Sequence, residues 1–228
     1  MELNQIIPPE IKNDLFANAI TSIIANNKIN TILEIGSSSG LGSTAAIIKG
    51  IELSGRNCQV YCIEVSKERA NEFRKNRKES YVHLYNYCSV ALENYMDDDE
   101  IEILISNFPN QDKINKNHIP LFKKWRQEEI NYIKQNRIPL FGIQNILEHN
   151  DLKSFDFVLI DGSIFTASTE RFDLYDVSTW FVLDDIIDLK NYENHTFFKV
   201  NPDWQLMIEH FEIRNGFSIF KNKFKGKE

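Results

Sequence analysis

Four apolar stretches of the chain carry a carboxylate at or next to their far end. Glu34 lies in 31–35, Glu64 in 59–65, Asp161 follows 155–160, and Asp184 and Asp185 follow 180–183. Carboxylate oxygens gathered in one place can accept from hydroxyls, hold a hard divalent cation or take up a proton. A second chemistry-bearing stretch overlaps the first: Gly36-Ser37-Ser38-Ser39-Gly40-Leu41-Gly42-Ser43-Thr44. Glycines there let backbone approach a ligand, and the start of a following helix presents N–H groups to it. Glu34, just upstream, would repel a bare phosphate, so the loop suits a ligand with positive as well as polar groups.

The elements that position these residues follow from hydrophobic periodicity. Apolar positions at Ile11, Leu15, Phe16, Ile20, Ile23 and Ile24 predict a helix within 10–27. A strand at 31–35, a helix at 43–54, a strand at 59–65 and a helix at 67–78 capped by Ser66 come next, then a strand at 82–87. Buried strands at 155–161 and 180–185 bracket a helix around 168–176. Asn215-Gly216 between apolar runs at 205–211 and 217–221 reads as a hairpin. Strands alternating with helices predict a Rossmann-like, doubly wound, mostly parallel α/β sheet with right-handed crossovers. In such a sheet the carboxyl ends of the strands line one crevice, so all four acidic positions are expected at the same edge. Residues 92–150 break the rhythm and read as a helical insertion, a candidate lid, within a single domain spanning 1–228. Residues 1–30 form an amino-terminal helical segment in this reading.

Composition narrows the partners. A length of 228 residues suits one α/β domain, and a net charge of -7 argues against nucleic acid or an acidic membrane. No apolar run is long enough to span a bilayer, so no membrane insertion is expected. Three cysteines without a CxxC pair, and an amino terminus without the pattern of a signal peptide, point to a reducing, cytoplasmic setting. Arg74-Lys75-Asn76-Arg77-Lys78 reads as a solvated helix end. Trp125 among Lys123, Lys124 and Arg126 reads as a core residue at helical spacing or as a stacking surface.

Spacing selects the cofactor. Glu64 lies 22 residues beyond Gly42, where a carboxylate can accept both hydroxyls of a ribose. Both dinucleotides and S-adenosylmethionine offer that ribose. The dinucleotide pattern G-x-G-x-x-G is absent, because Ser38 and Leu41 stand at its second and third glycine positions. In Glu34-Ile-Gly36-Ser-Ser-Ser-Gly40, with Glu64 after the second strand, the chain resembles the class I S-adenosylmethionine-dependent methyltransferases. That resemblance implies a seven-stranded sheet with an antiparallel last strand. It also implies a cofactor site drawn from Glu34, Gly36, Ser37, Ser38, Gly40, Ser43, Thr44, Glu64, Val65, Ser89 and Asp161.

The second half, Leu159-Ile-Asp161-Gly162 and Val182-Leu-Asp184-Asp185, is similar to metal-dependent O-methyltransferases, including ones that act on sugar hydroxyls. The resemblance implies that Asp161, Asp184 and Asp185 hold a divalent metal such as Mg²⁺ beside the acceptor, a glycan or other small molecule. Related enzymes often carry a basic residue three positions after the first acid. Here that position is Ile164, so Lys190, Asp188 and His195 become the candidates for general base. Two other readings use the same residues. One is an NAD(P)-dependent oxidoreductase on the same topology; the other is a non-catalytic S-adenosylmethionine-binding module.

Overall fold

The computed structural model describes residues 3–226. An amino-terminal segment leads to α1 (Leu15–Asn26), and β1 (Thr31–Ile35), α2 (Ser43–Ser54), β2 (Gln59–Ile63), α3 (Lys67–Asn76) and β3 (Val82–Tyr85) follow. Three helices come next: α4 (Asp98–Asn107), α5 (Ile119–Asn136) and α6 (Gly142–His149). The chain closes with β4 (Phe155–Ile160), α7 (Ala167–Leu174), β5 (Ser178–Asp184), α8 (Tyr192–Val200), β6 (Trp204–His210) and β7 (Phe217–Asn222). The strands form one sheet in the order β3-β2-β1-β4-β5-β7-β6. β1 to β5 pair in parallel, while β7 runs antiparallel to both β5 and β6. The predicted sheet, with its antiparallel last strand, is therefore the one observed.

Register decides where the chemistry emerges. Ile35 is level with Ile63 on one side and Ile160 on the other, and Ile160 is level with Leu183. The next residues along these strands, Gly36, Glu64, Asp161 and Asp184, therefore leave the sheet at a common level. Each strand alternates its side chains between two apolar layers. Ile32, Val60, Phe157, Leu159, Trp180 and Val182 pack beneath α1, α2 and α3. Leu33, Ile63, Val158, Ile160, Phe181 and Leu183 pack on the opposite face.

That opposite face is covered in part by residues 92–150. Ile101, Leu104 and Ile105 of α4, Phe122 and Ile133 of α5, and Ile143 and Ile146 of α6 share its core with the sheet. The segment expected as an insertion is thus a layer of the domain. Its apolar patch at 101–105 is helical because Asp97 and Glu100 form a capping box and acids fill the first turn. Trp125 lies against this core, edge-on to Phe122. Lys123 and Arg126 pair with Glu102 and Asp98, so that basic cluster is spent within the fold.

On the other face α1 and α2 touch at Gly50, where a Cβ would lie 2.8 Å from Ile24 Cβ and 2.9 Å from the Thr21 carbonyl oxygen. A Gly50→Ala substitution gains about 1 kcal/mol of helix propensity but must push two helices apart. We expect a net loss of about 1–2 kcal/mol from overpacking, read as a lower Tm in thermal denaturation. An unchanged or higher Tm would show that the helices yield freely.

Candidate active site

The loop after β1 is shaped by its neighbours. Gly36 has a φ of +88°, and a Cβ there would sit 2.2 Å from the Asp161 carbonyl oxygen. Only glycine fits, and its absent side chain lets the loops after β1 and β4 touch. The N–H groups of Gly36 and Ser37 both donate to the Ile63 carbonyl, at 2.9 and 3.2 Å. Ser38, also at positive φ, donates its N–H to Glu64 Oε2 at 2.8 Å. The Ser66 N–H donates to Glu64 Oε1 at 2.8 Å. Glu64 is thereby fixed by one backbone donor on each oxygen, leaving further lone pairs for a ligand. Burial raises its pKa, and these two N–H groups together with Arg69 hold it down in part.

Two other residues of the first motif turn away. Glu34 is fully buried on the α2 side of β1, where Ser43 Oγ and Thr44 Oγ1 donate to its two oxygens, the latter at 2.7 Å. Cys62 Sγ lies 3.4 Å from the same carboxylate. The N-cap of α2, Gly42, makes no side-chain capping bond, so Glu34 supplies the anionic partner at the helix start from below. It therefore lies under the loop and outside the cleft, correcting its expected place in the cofactor site. Strand alternation is the reason: Leu33 and Ile35 face one layer and Glu34 the other. Thr44, in the first turn of α2, is interior as well, its hydroxyl committed to Glu34. Gly40 at φ +74° packs on the ring of Phe73, and its carbonyl accepts from Arg77 Nε at 2.6 Å, so it too faces α3 instead of the cleft.

Two adjoining cavities run along the carboxyl edge of the sheet. One, of about 110 Å³, is walled by Glu64, Val65, Tyr87, Cys88, Ser89, Tyr95, Glu129 and Glu170. The other, of about 410 Å³, is walled by Ser37, Ser38, Ser43, Asp185, Asp188, Lys190 and Asn215, and by residues 7–11 of the amino-terminal segment. Gly36, Arg69, Asp161 and Gly162 belong to both. The amino-terminal segment is tied to this junction by Arg69 Nε, which donates to the Gln5 carbonyl at 3.0 Å.

Asp161, Asp184 and Asp185 converge as expected, with one oxygen of each within 4.8 Å of the others. Their alignment is secured by Asn191, whose Nδ2 donates to the Ile160 carbonyl at 3.0 Å and the Asp184 carbonyl at 2.8 Å. Asp185 adopts positive φ, which an aspartate tolerates, and so turns its carboxylate back towards Asp161. The cluster is already partnered. Lys190 Nζ donates to Asp161 Oδ1 at 2.7 Å and to Asp185 Oδ2. Arg214 donates to Asp184 Oδ1 at 2.8 Å, and Asn215 Nδ2 to Asp185 Oδ1 at 3.0 Å.

Three carboxylates against two cations leave an uncompensated negative charge. Burial and Asp185 raise the pKa of Asp161 against the pull of Lys190, and burial, Asp161 and Asp185 push Asp184 up to about 7 despite Arg214. Burial opposes the charge of Asp185, but Lys190 and Asn215 outweigh it and lower its pKa. Burial likewise opposes the Lys190 ammonium, and Asp161 and Asp185 more than offset it, holding the group above the usual lysine range. Lys190 in this arrangement orients carboxylates and is a poor base. His195 is bonded to Glu209 and Ser218 beside β6 and β7, apart from the cleft, and Asp188 is paired with Lys113 at 2.8 Å. The donors offered by Asp161, Asp184 and Asp185 are all oxygens and suit a hard divalent ion in kind and number. Such an ion would have to displace the Lys190 ammonium.

Sequence reading passed over several residues of this site. Asn215 is legible only as part of a hairpin and Arg214 carries no signal, yet the β6–β7 loop returns to the end of β5 and brings both onto the acids. Glu129 and Glu170, on α5 and α7, are buried at the cavity wall, where helical acids are ordinarily solvated.

No protein-family model matches the chain, and no curated protein matches it significantly. Solved structures do. An O-methyltransferase from Bacillus cereus, in complex with S-adenosylhomocysteine, superposes with a TM-score of 0.59 at 14% identity, over 95% of this chain and 84% of that one. A methyltransferase from Podospora anserina, bound to the same ligand, gives 0.51 at 12% identity over 94% and 80%. The O-methyltransferase TomG from Streptomyces achromogenes gives 0.50 at 11% identity over 94% and 82%. The chain has the methyltransferase fold.

Within that fold, Glu170 carries a readable charge. Burial raises its pKa to about 7, with Glu129 and Asp173 adding to the shift and the hydroxyls of Ser89 and Thr166 opposing it. A carboxyl whose folded pKa is raised binds its proton more tightly in the native state. Its contribution is therefore full below the unfolded value and is lost as pH rises through about 7. For Glu170 the loss is on the order of 3 kcal/mol. We expect the unliganded protein to lose stability to urea between pH 5 and pH 8, and Glu170→Gln to flatten that slope. A Glu170→Gln protein with the wild-type slope would place the titration elsewhere.

Proposed function

We propose that the protein is an S-adenosylmethionine-dependent O-methyltransferase acting on a hydroxyl of a sugar or glycan. The observation that carries this reading is the position of Glu64. Clamped by the N–H groups of Ser38 and Ser66, it edges a cavity that opens, past Gly36 and Gly162, onto the acids Asp161 and Asp185. A ribose on Glu64 and a sulfonium near the junction would leave the methyl group facing the acidic half of the cleft. There the charged and amide groups of Asp161, Asp185, Lys190 and Asn215 alternate acceptors with donors, a lining suited to a polyhydroxy acceptor, with Asp184 buried behind them.

The reaction is an in-line displacement. The acceptor oxygen forms a bond to the methyl carbon as the carbon–sulfur bond breaks, and the sulfonium leaves as a neutral thioether. The hydroxyl proton passes to a carboxylate of the cluster, since the Lys190 ammonium cannot accept it. Desolvation of the sulfonium within the cleft and alignment of the acceptor supply most of the acceleration. Asp161, Asp184 and Asp185 would hold a divalent ion when one is bound. That ion would lower the pKa of the acceptor hydroxyl and fix its direction.

Calorimetry with S-adenosylhomocysteine and with NAD should give binding of the first only. Binding of NAD alone would favour an oxidoreductase. Methyl transfer to a panel of mono- and oligosaccharides, in Mg²⁺ and in chelator, tests the acceptor and the ion. Asp184→Ala should lower turnover at least 100-fold, about 2.7 kcal/mol of transition-state stabilisation, with S-adenosylhomocysteine affinity unchanged. Full activity in chelator would remove the ion from this reading, and cofactor binding without transfer to any acceptor would favour a binding module.

A further inference from the structure

Lys190 stands where a cation held by the acid cluster would stand. Its Nζ donates to Asp161 Oδ1 at 2.7 Å and to Asp185 Oδ2. Mg²⁺ takes carboxylate oxygens at about 2.1 Å, so an ion bridging Asp161 and Asp185 needs the space between the same two oxygens. Ammonium and ion exclude each other there. Arg214 is placed differently: within the cluster it meets Asp184 alone, and it shares itself with Asp14.

Charge favours exchange over addition. With the ammonium seated, three carboxylates face two cations. With a divalent ion in its place and Arg214 retained, the charges balance. With ion and ammonium both present, the cluster would carry excess positive charge. The exchange also needs only a side chain to move. Lys190 lies in the turn between β5 and α8, and that turn is pinned. The N–H groups of Ile186 and Ile187 donate to the Gly216 and Asn215 carbonyls at 3.3 and 2.9 Å, and Asn191 ties the turn to Ile160 and Asp184. The lysine side chain itself borders the larger cavity and is 22% exposed. Its ammonium can leave the seat while the backbone stays in place.

We propose that Lys190 is a tethered competitor for the divalent ion, and that an ion binds by driving the lysine side chain into the acceptor half of the cleft. This rests on the reading of Asp161, Asp184 and Asp185 as ion ligands, and it is independent of the methyl donor. The first consequence is a threshold. Apparent affinity falls by the fraction of time a site is open, so a seat filled for about nine-tenths of the time weakens ion binding about 10-fold. The second is reciprocal: the ion changes what the cleft offers an acceptor, because it frees an ammonium at the cavity wall.

Mn²⁺ and Mg²⁺ are titrated by calorimetry into wild type, Lys190→Met and Lys190→Arg, with circular dichroism to check folding. Lys190→Met, close in length and uncharged, should bind either ion at least 10-fold more tightly than wild type. Lys190→Arg restores a cation and should stay closer to wild type than to Lys190→Met. The movement is read on wild type by acetylation with acetic anhydride and mass spectrometry. Saturating ion should speed modification of Lys190 at least 5-fold and leave the exposed Lys49 unchanged. This second measurement decides the matter should Lys190→Met misfold. Equal affinities in wild type and folded Lys190→Met, or Lys190 modification that ignores the ion, overturn the competition and leave the three acids as ion ligands. No ion binding in any of the proteins overturns the ion reading, and this inference with it.

Discussion

The site depends on one close approach, the Gly36 backbone against the carbonyl of Asp161. A side chain at position 36 would occupy the space of that carbonyl, 2.2 Å from the oxygen. With none, the loops after β1 and β4 touch, and the Ile63 carbonyl gathers the N–H groups of Gly36 and Ser37. Glu64 and Asp161 are then brought to either side of one narrow junction. The two cavities meet there, one edged by the acid that suits a ribose and the other by the acids that suit hydroxyls. Equal strand ends make this economical, since Ile35, Ile63, Ile160 and Leu183 stand level and no long loop is needed to bring the groups together.

The cost of the arrangement is buried negative charge, and the fold answers it differently at each acid. Glu34 is met by two hydroxyls and the start of α2. Glu64 is met by backbone N–H groups, and Asp161 and Asp185 by a shared ammonium. Glu129 is met by a hydroxyl on each oxygen, whereas Glu170 receives both of its hydroxyls on one.

Much of this was legible in the residues. Alternating strands and helices led to the doubly wound sheet, Asn215-Gly216 to the hairpin, and the acids after β4 and β5 to a shared cluster. What escaped had physical causes. The direction of Glu34 follows from strand parity, a property of the whole strand that its place in a motif does not convey. Helix α4 was hidden because its apolar residues form so short a run, and α8 because its aromatic residues mix with polar ones. Arg214 and Asn215 act across 30 residues of sequence, and only the returning loop places them beside Asp184 and Asp185. Glu129 and Glu170 look like ordinary surface residues until the helices around them are packed.

Asp14 performs two tasks that few residues combine. Its side chain accepts from the Ala17 N–H as the cap of α1, and it shares Arg214 with Asp184. The guanidinium is thus divided between a helix terminus and the acid cluster. Whatever draws Arg214 fully to one side withdraws it from the other, so the ordering of the first helix and the electrostatic potential at the acceptor half of the cleft are thermodynamically linked. Such linkage is reciprocal. An acceptor that relieves Asp184 of its cation tightens the helix start, and fraying of that start returns the cation to the acids and dims their negative field.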